Sequence, residues 1–129
     1  MEPQRLEGEV LTELSNAMVA LHRKQYGRGP GAARTLIVED MVVCVLSDIY
    51  TPVEKTLLEA GRADHVRAVR QLHQLALETE YRAAVESATG RMVIAFVSSV
   101  HFDPDKAFEV FLLEPARGQE GASRNTSTE

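Results

Sequence analysis

The segment HRKQYGRGPGAART (22–35) is where the residue types come closest to a binding chemistry. It carries Arg23, Lys24, Arg28 and Arg34 and no acidic residue, in a chain whose formal net charge is −5. Glycines that expose backbone N–H groups, flanked by guanidinium forks, can cradle a carboxylate, bicarbonate or phosphate. The residues placed to do so are Arg28, Gly29, Gly31, Arg34 and Thr35. Arg28 lies between two glycines, and Arg34 stands just before a strand that would hold its guanidinium still. The segment fits neither G-x-x-x-x-G-K-[ST] nor G-x-G-x-x-G, and it follows a helical pattern rather than a strand. The competing reading is structural. Arg23 and Lys24 then answer the dipole at a helix C-terminus, Gly27 caps that helix, and Arg34 pairs with a carboxylate or a helix-end carbonyl.

Other candidate groups are dispersed. Arg62, Arg67 and Arg70 lie near Asp64 in a helical pattern and read as solvated or locally paired surface charge. His22 and His65 fall near helix ends, and His73 falls on an apolar stripe, as a hydrogen-bonded histidine at the edge of a core does. His101, Asp103 and Asp105 share H-F-D-P-D; Asp-Pro starts turns, and a Ca²⁺ site needs six to eight oxygen ligands, so the turn reading prevails. The one cysteine, Cys44, sits mid-strand as a small apolar residue, which rules out an intrachain disulfide or a multi-cysteine metal site. There is no G-x-S-x-G and no paired nucleophile and base. No catalytic residue, metal or cofactor is therefore expected.

The elements that must carry these residues are legible from periodicity. Leu11, Leu14, Met18 and Leu21 recur at helical spacing from Leu6 to Tyr26, with Glu7 and Glu9 in the first turn. TLIVE (35–39) and MVVCVLS (41–47) read as a hairpin turning near Glu39-Asp40, although no glycine supports the turn. The second of these strands has two apolar faces, so something covers both sides. In TPVEKTLLEAG (51–61), Thr51, Pro52, Glu54 and Gly61 supply cap, first-turn proline, capping box and stop. A longer helix runs from about Asp64 to Ala88, with Val66, Val69, Leu72, Ala76, Leu77, Ala83 and Ala84 taken as its buried face. Strands 91–98 and 106–114 follow. The last places Phe108, Val110 and Leu112 on one side and Glu109, Phe111 and Leu113 on the other.

The order α-β-β-α-α-β-β predicts an α+β two-layer sandwich, a mostly antiparallel four-stranded sheet with two long helices and one short one. Residues 1–114 form one domain, and 115–129, without a large apolar side chain, form a disordered tail. If both long helices cover one sheet face, a second copy of the chain is the expected cover for the other, a homodimer. The longest apolar runs have six residues, too short to span a membrane, and the first residues lack the pattern of a signal peptide, which points to the cytoplasm. The acidic balance disfavours a duplex-DNA binder.

Several longer motifs resemble the bacterial MpsC-like family. They are the helix ending in YGRGP, the ART entering a strand, TPVEKTLLEAG, TGRMVIAFVSSVHFDPD and EVFLLE, together spanning Gly8 to Glu114. The family takes its name from a component of a Na⁺-translocating, membrane-potential-generating system linked to inorganic-carbon uptake. The resemblance implies a membrane transporter as a partner and carries over no catalytic residue. Combined with the residue chemistry, the expectation is a small non-enzymatic module that binds an anionic ligand or a partner protein. One alternative is an RNA-associated regulator using Arg23, Arg28, Arg34 and the Arg62–Arg70 cluster. Seven aromatics scattered away from these basic residues offer it no stacking platform. The other is an enzyme built on the Arg28–Arg34 loop with His73 or His101.

Overall fold

The computed structural model describes residues 6–115. The elements are α1 (Glu7–Tyr26), β1 (Ala32–Val38), β2 (Met41–Ser47), α2 (Pro52–Glu59), α3 (Ala63–Thr89), β3 (Val93–His101) and β4 (Lys106–Leu113), the order expected. The strands form one antiparallel sheet in the order β1-β2-β4-β3. Residues 116–129, the greater part of the tail expected to be disordered, lie outside the described residues.

Local signals set the element ends. Glu9 accepts a hydrogen bond from the Leu6 N–H at the start of α1, and Gly27 closes the helix in the left-handed conformation. At α2 the expected capping box is complete: the Thr51 hydroxyl accepts from the Glu54 N–H, and Glu54 accepts from the Thr51 N–H. The β1–β2 hairpin turns through Glu39-Asp40, as Val38 pairs with Met41. Without a glycine there, Glu39 itself takes a positive φ of 55°.

Both long helices pack on one sheet face. The core joins Leu14 and Met18 of α1 to Val66, Tyr81 and Val85 of α3 over Val42, Cys44, Leu46, Phe111 and Leu113. Phe96 and Phe111 stack with centroids 4.6 Å apart, and Tyr81 lies on Phe96. Burying each such side chain contributes about 1.5–3 kcal/mol.

The buried stripe of α3 differs from the one expected. Val66 is buried and Leu77 and Ala84 pack on the core as expected, but Arg70, Tyr81, Val85 and Ala88 complete the stripe, whereas Leu72 is 65% exposed and Ala76 and Ala83 are also exposed. The helix is rotated because Arg70 and Tyr81 occupy core positions that apolarity alone assigns elsewhere.

Candidate functional site

The glycine loop joins α1 to β1, and its residues are not aimed at one point. Arg28 turns back into the protein: Nη1 donates to the Asp48 and Tyr50 carbonyls, and Nη2 meets the Asp48 carboxylate at 3.1 Å. Gly29 sits against the Arg23 guanidinium and Gly31 against the Asp48 side chain, where a Cβ would fall 2.8 Å from Asp48 Cβ. Gly31 is thus required by close approach. Arg34 and Thr35, adjacent on a strand, point to opposite sheet faces. Thr35 is buried and bonds to Ser15 and Cys44, while Arg34 is exposed and its side chain makes no hydrogen bond or ion pair among the described residues.

The polar centre of the fold lies instead on Arg70, whose reading as surface charge is corrected by the structure: the residue is 6% exposed. Nε and Nη2 bind the two Glu54 oxygens at 2.7 and 2.6 Å, Nη2 also donates to the Ile49 carbonyl, and Nη1 meets His22 Nε2 at 3.3 Å. The guanidinium lies over the Tyr26 ring at 3.8 Å and the Tyr50 ring at 5.1 Å. Guanidinium nitrogens only donate, so His22 Nε2 accepts, and its Nδ1 carries the proton given to the Arg28 carbonyl. Burial pulls the His22 pKa down to about 4, the Arg28 carbonyl opposes this, and the Arg70 charge lowers it further. His22 is therefore a neutral strut between the loop and α3.

Glu109, on the same side of β4 as Phe111 and Leu113, is 6% exposed. Burial pushes its pKa up to about 7, against a hydrogen bond from Ser98 and the Arg70 charge. His73 packs on Tyr26 with centroids 5.5 Å apart, and its buried Nδ1 has no hydrogen-bond partner among the described residues. The turn after β3 is structural in form: Asp105 accepts the Ile49 N–H at 2.8 Å, and His101 Nδ1 lies 2.8 Å from the Pro104 carbonyl oxygen. Among the described residues no group of three His, Cys, Asp or Glu side chains is placed to hold a metal.

The second sheet face carries neither helix. Register sets its side chains in cross-strand rows: Leu36, Val43, Val110 and Val97, then Val38, Met41, Leu112 and Ala95, then Arg34, Val45, Phe108 and Ser99. Ala32, Ser47, Lys106 and His101 end the grid. Six of its large apolar residues are between 38% and 62% exposed, and no carboxylate lies in the grid. The sequence marked this face through the doubly apolar β2.

Fold and surfaces together define a small two-layer α+β domain with one sheet face covered by helices and the other open. The chain belongs to the MpsC family, Na⁺-translocating membrane potential-generating system, whose family model matches residues 6–115. No curated protein and no solved structure matches it. Membership links the chain to Na⁺-coupled generation of membrane potential. No helix among the described residues is long and apolar enough to cross a membrane.

Proposed function

We propose that the chain is a non-enzymatic accessory module of such a system that works by protein contact, through the open sheet face, with a second copy of itself. The observation that carries this reading is the exposed grid on β1, β2, β4 and β3, whose Leu36 and Val38 rows are apolar throughout. Its exposed and half-buried side chains make a patch on the order of 600 Å² per copy, beside the ~800 Å² that each partner contributes to a stable interface. A grid without carboxylates offers no charge match to a basic partner, whereas two apolar grids match each other. Arg34 and Lys106 lie toward one end of the strands, so a two-fold axis running across the strands keeps the two basic ends apart. Sheets stacked in this way pack about 10 Å apart.

Anion binding by the glycine loop has less support, because Arg28 is committed to Asp48 and Tyr50, and Arg34 and Thr35 face opposite ways. Of the two arginines, only Arg34 has its guanidinium available.

Sedimentation at tens of micromolar tests the reading, with a dimer expected. Val97→Lys, at a position 62% exposed, should give a folded monomer whose melting temperature falls only by the part that self-association contributes. A monomeric wild-type protein overturns the assignment of a second copy.

A further inference from the structure

Glu109 is the one carboxyl group that β4 directs into the layer between sheet and helices; Ala107, Phe111 and Leu113 share that side of the strand. Its Cα partners are Cys44 on β2 and Ser98 on β3. Ser98 supplies a hydrogen bond to the carboxyl, while Oε1 is buried with no hydrogen-bond partner among the described residues. A buried carboxyl oxygen left in this state is costly. Glu109 lines a cavity of about 60 Å³ between the end of α1, the middle of α3 and strands β3 and β4. At roughly 10–15 Å³ per water, that space takes several waters or a ligand of a few heavy atoms.

The walls narrow the ligand chemistry. Tyr26 and Tyr81 line the cavity, Tyr26 with the Arg70 guanidinium over its ring and Tyr81 stacked on Phe96. Arg70 borders it, but its guanidinium is already engaged by Glu54, the Ile49 carbonyl and His22, and the Glu54 carboxylate offsets its charge. The exposed Arg67 and Gln71 also line the cavity, with the Arg67 guanidinium 4.6 Å above the Phe102 ring. The lining thus holds a buried carboxyl together with the exposed donors of Arg67 and Gln71. A hydroxyl could bond to the carboxyl, but only a cation also offsets the charge of its ionised form, which burial otherwise disfavours.

We propose that this cavity binds a small molecule bearing a primary ammonium group, which donates to the Glu109 carboxyl. Where that molecule is an amino acid, its carboxylate lies toward Arg67 and Gln71; where it is a simple amine, the ammonium contact stands alone. The other titratable groups around the carboxyl are Tyr26 from α1, Arg67, Arg70 and Tyr81 from α3 and Cys44 from β2, with His22 beside Arg70. The Tyr26, Cys44 and Tyr81 pKa values are raised, each chiefly by burial, so these groups stay neutral near pH 8 and leave Glu109 as the cavity's anion.

The test is thermal melting of the full chain near pH 8 with glycine, β-alanine, ethylamine, acetate or ethanol at matched ionic strength. At about 20 mM the amine-bearing compounds should raise the wild-type melting temperature by about 3 °C, and acetate and ethanol should not. Glu109→Gln should abolish the response. A stronger effect of glycine or β-alanine than of ethylamine assigns the amino-acid source, and equal effects assign the simple amine. A wild type that responds to none of them overturns the proposal, as does a Glu109→Gln variant that responds like the wild type. A second measurement needs no variant. Near pH 7, calorimetric titration with the best amine in two buffers of different ionisation enthalpy should show a proton released on binding as Glu109 ionises, and binding without release overturns the site.

Discussion

Arg70 and Glu54 meet inside the protein through two nearly parallel hydrogen bonds, and Glu54 is at the same time the capping-box carboxylate of α2. One carboxylate thus fixes where α2 begins and neutralises the guanidinium on which α1, α2 and α3 converge. Burial works to raise the Glu54 pKa, but the hydrogen bonds from Arg70 and the Thr51 backbone outweigh it and hold the carboxyl below its usual range.

Arg70→Ala is expected to destabilise the protein by about 3–5 kcal/mol, because it leaves Glu54 buried without its countercharge. Arg70→Lys should recover little, since an ammonium cannot span both carboxylate oxygens and the Ile49 carbonyl. Arg67→Ala, on the exposed side of α3, should cost no more than about 1 kcal/mol. Urea melts of the three variants check the ordering.

The pH dependence of stability should carry the signature of His22. Its pKa falls from 6.5 to about 4 on folding, so the unfolded chain binds the extra proton between those values. The His22 contribution is whole above about pH 6.5 and is lost as pH falls toward 4. His22→Gln should flatten that acid limb in denaturant melts taken across the window.

Glu109 acts with the opposite sign. Its pKa rises from 4.5 to about 7, so its contribution is present below pH 4.5 and lost as pH climbs through 7. Glu109→Gln should therefore be more stable than the wild type near pH 8, by something on the order of 1–2 kcal/mol, and the difference should shrink toward pH 5. Paired melts at the two pH values measure it.

Arg28 and Arg34 should part company. Arg28→Ala removes the donor that satisfies two carbonyls and a carboxylate, and should cost about 1–3 kcal/mol. Arg34→Ala should change stability by no more than about 0.5 kcal/mol. If the loop binds phosphate or bicarbonate, calorimetry should show that binding lost in the Arg34 variant.

Glu39→Gly should stabilise the β1–β2 hairpin by about 0.5–1 kcal/mol, because glycine takes the positive φ of this position without steric cost. A thermal melt compared with the wild type reads the change.

Much of this architecture was legible because its determinants are local. The capping box of Thr51 and Glu54, the αL glycine at position 27 and the doubly apolar β2 each lie within a few residues of the feature they specify. The Arg70 hub was not legible, because Tyr26, Ile49, Tyr50 and Glu54 come from three separate segments and nothing in RADHVRAVR marks its last arginine as different from the others. Apolarity placed Val66, Leu77 and Ala84 of α3 correctly but turned the face too far toward Leu72, since an arginine and a tyrosine hold the remaining core positions. Glu109 did leave a signal: strand alternation put it beside Phe111 and Leu113, and a carboxyl sharing a face with two large apolar residues is either buried or at an edge.

The sheet order β1-β2-β4-β3 has a consequence in symmetry. α1 and α3 each end on a left-handed glycine and lead into a hairpin whose second strand is central, and the two central strands run antiparallel. An approximate dyad normal to the sheet therefore relates one helix–hairpin half to the other, with α2 as the unmatched insertion. Cys44 and Glu109 face each other across that dyad as register partners. Equivalent positions in the two halves hold a thiol on one side and a carboxyl on the other, so the duplicated frame is symmetric in its backbone and asymmetric in its charge at the point where its halves join.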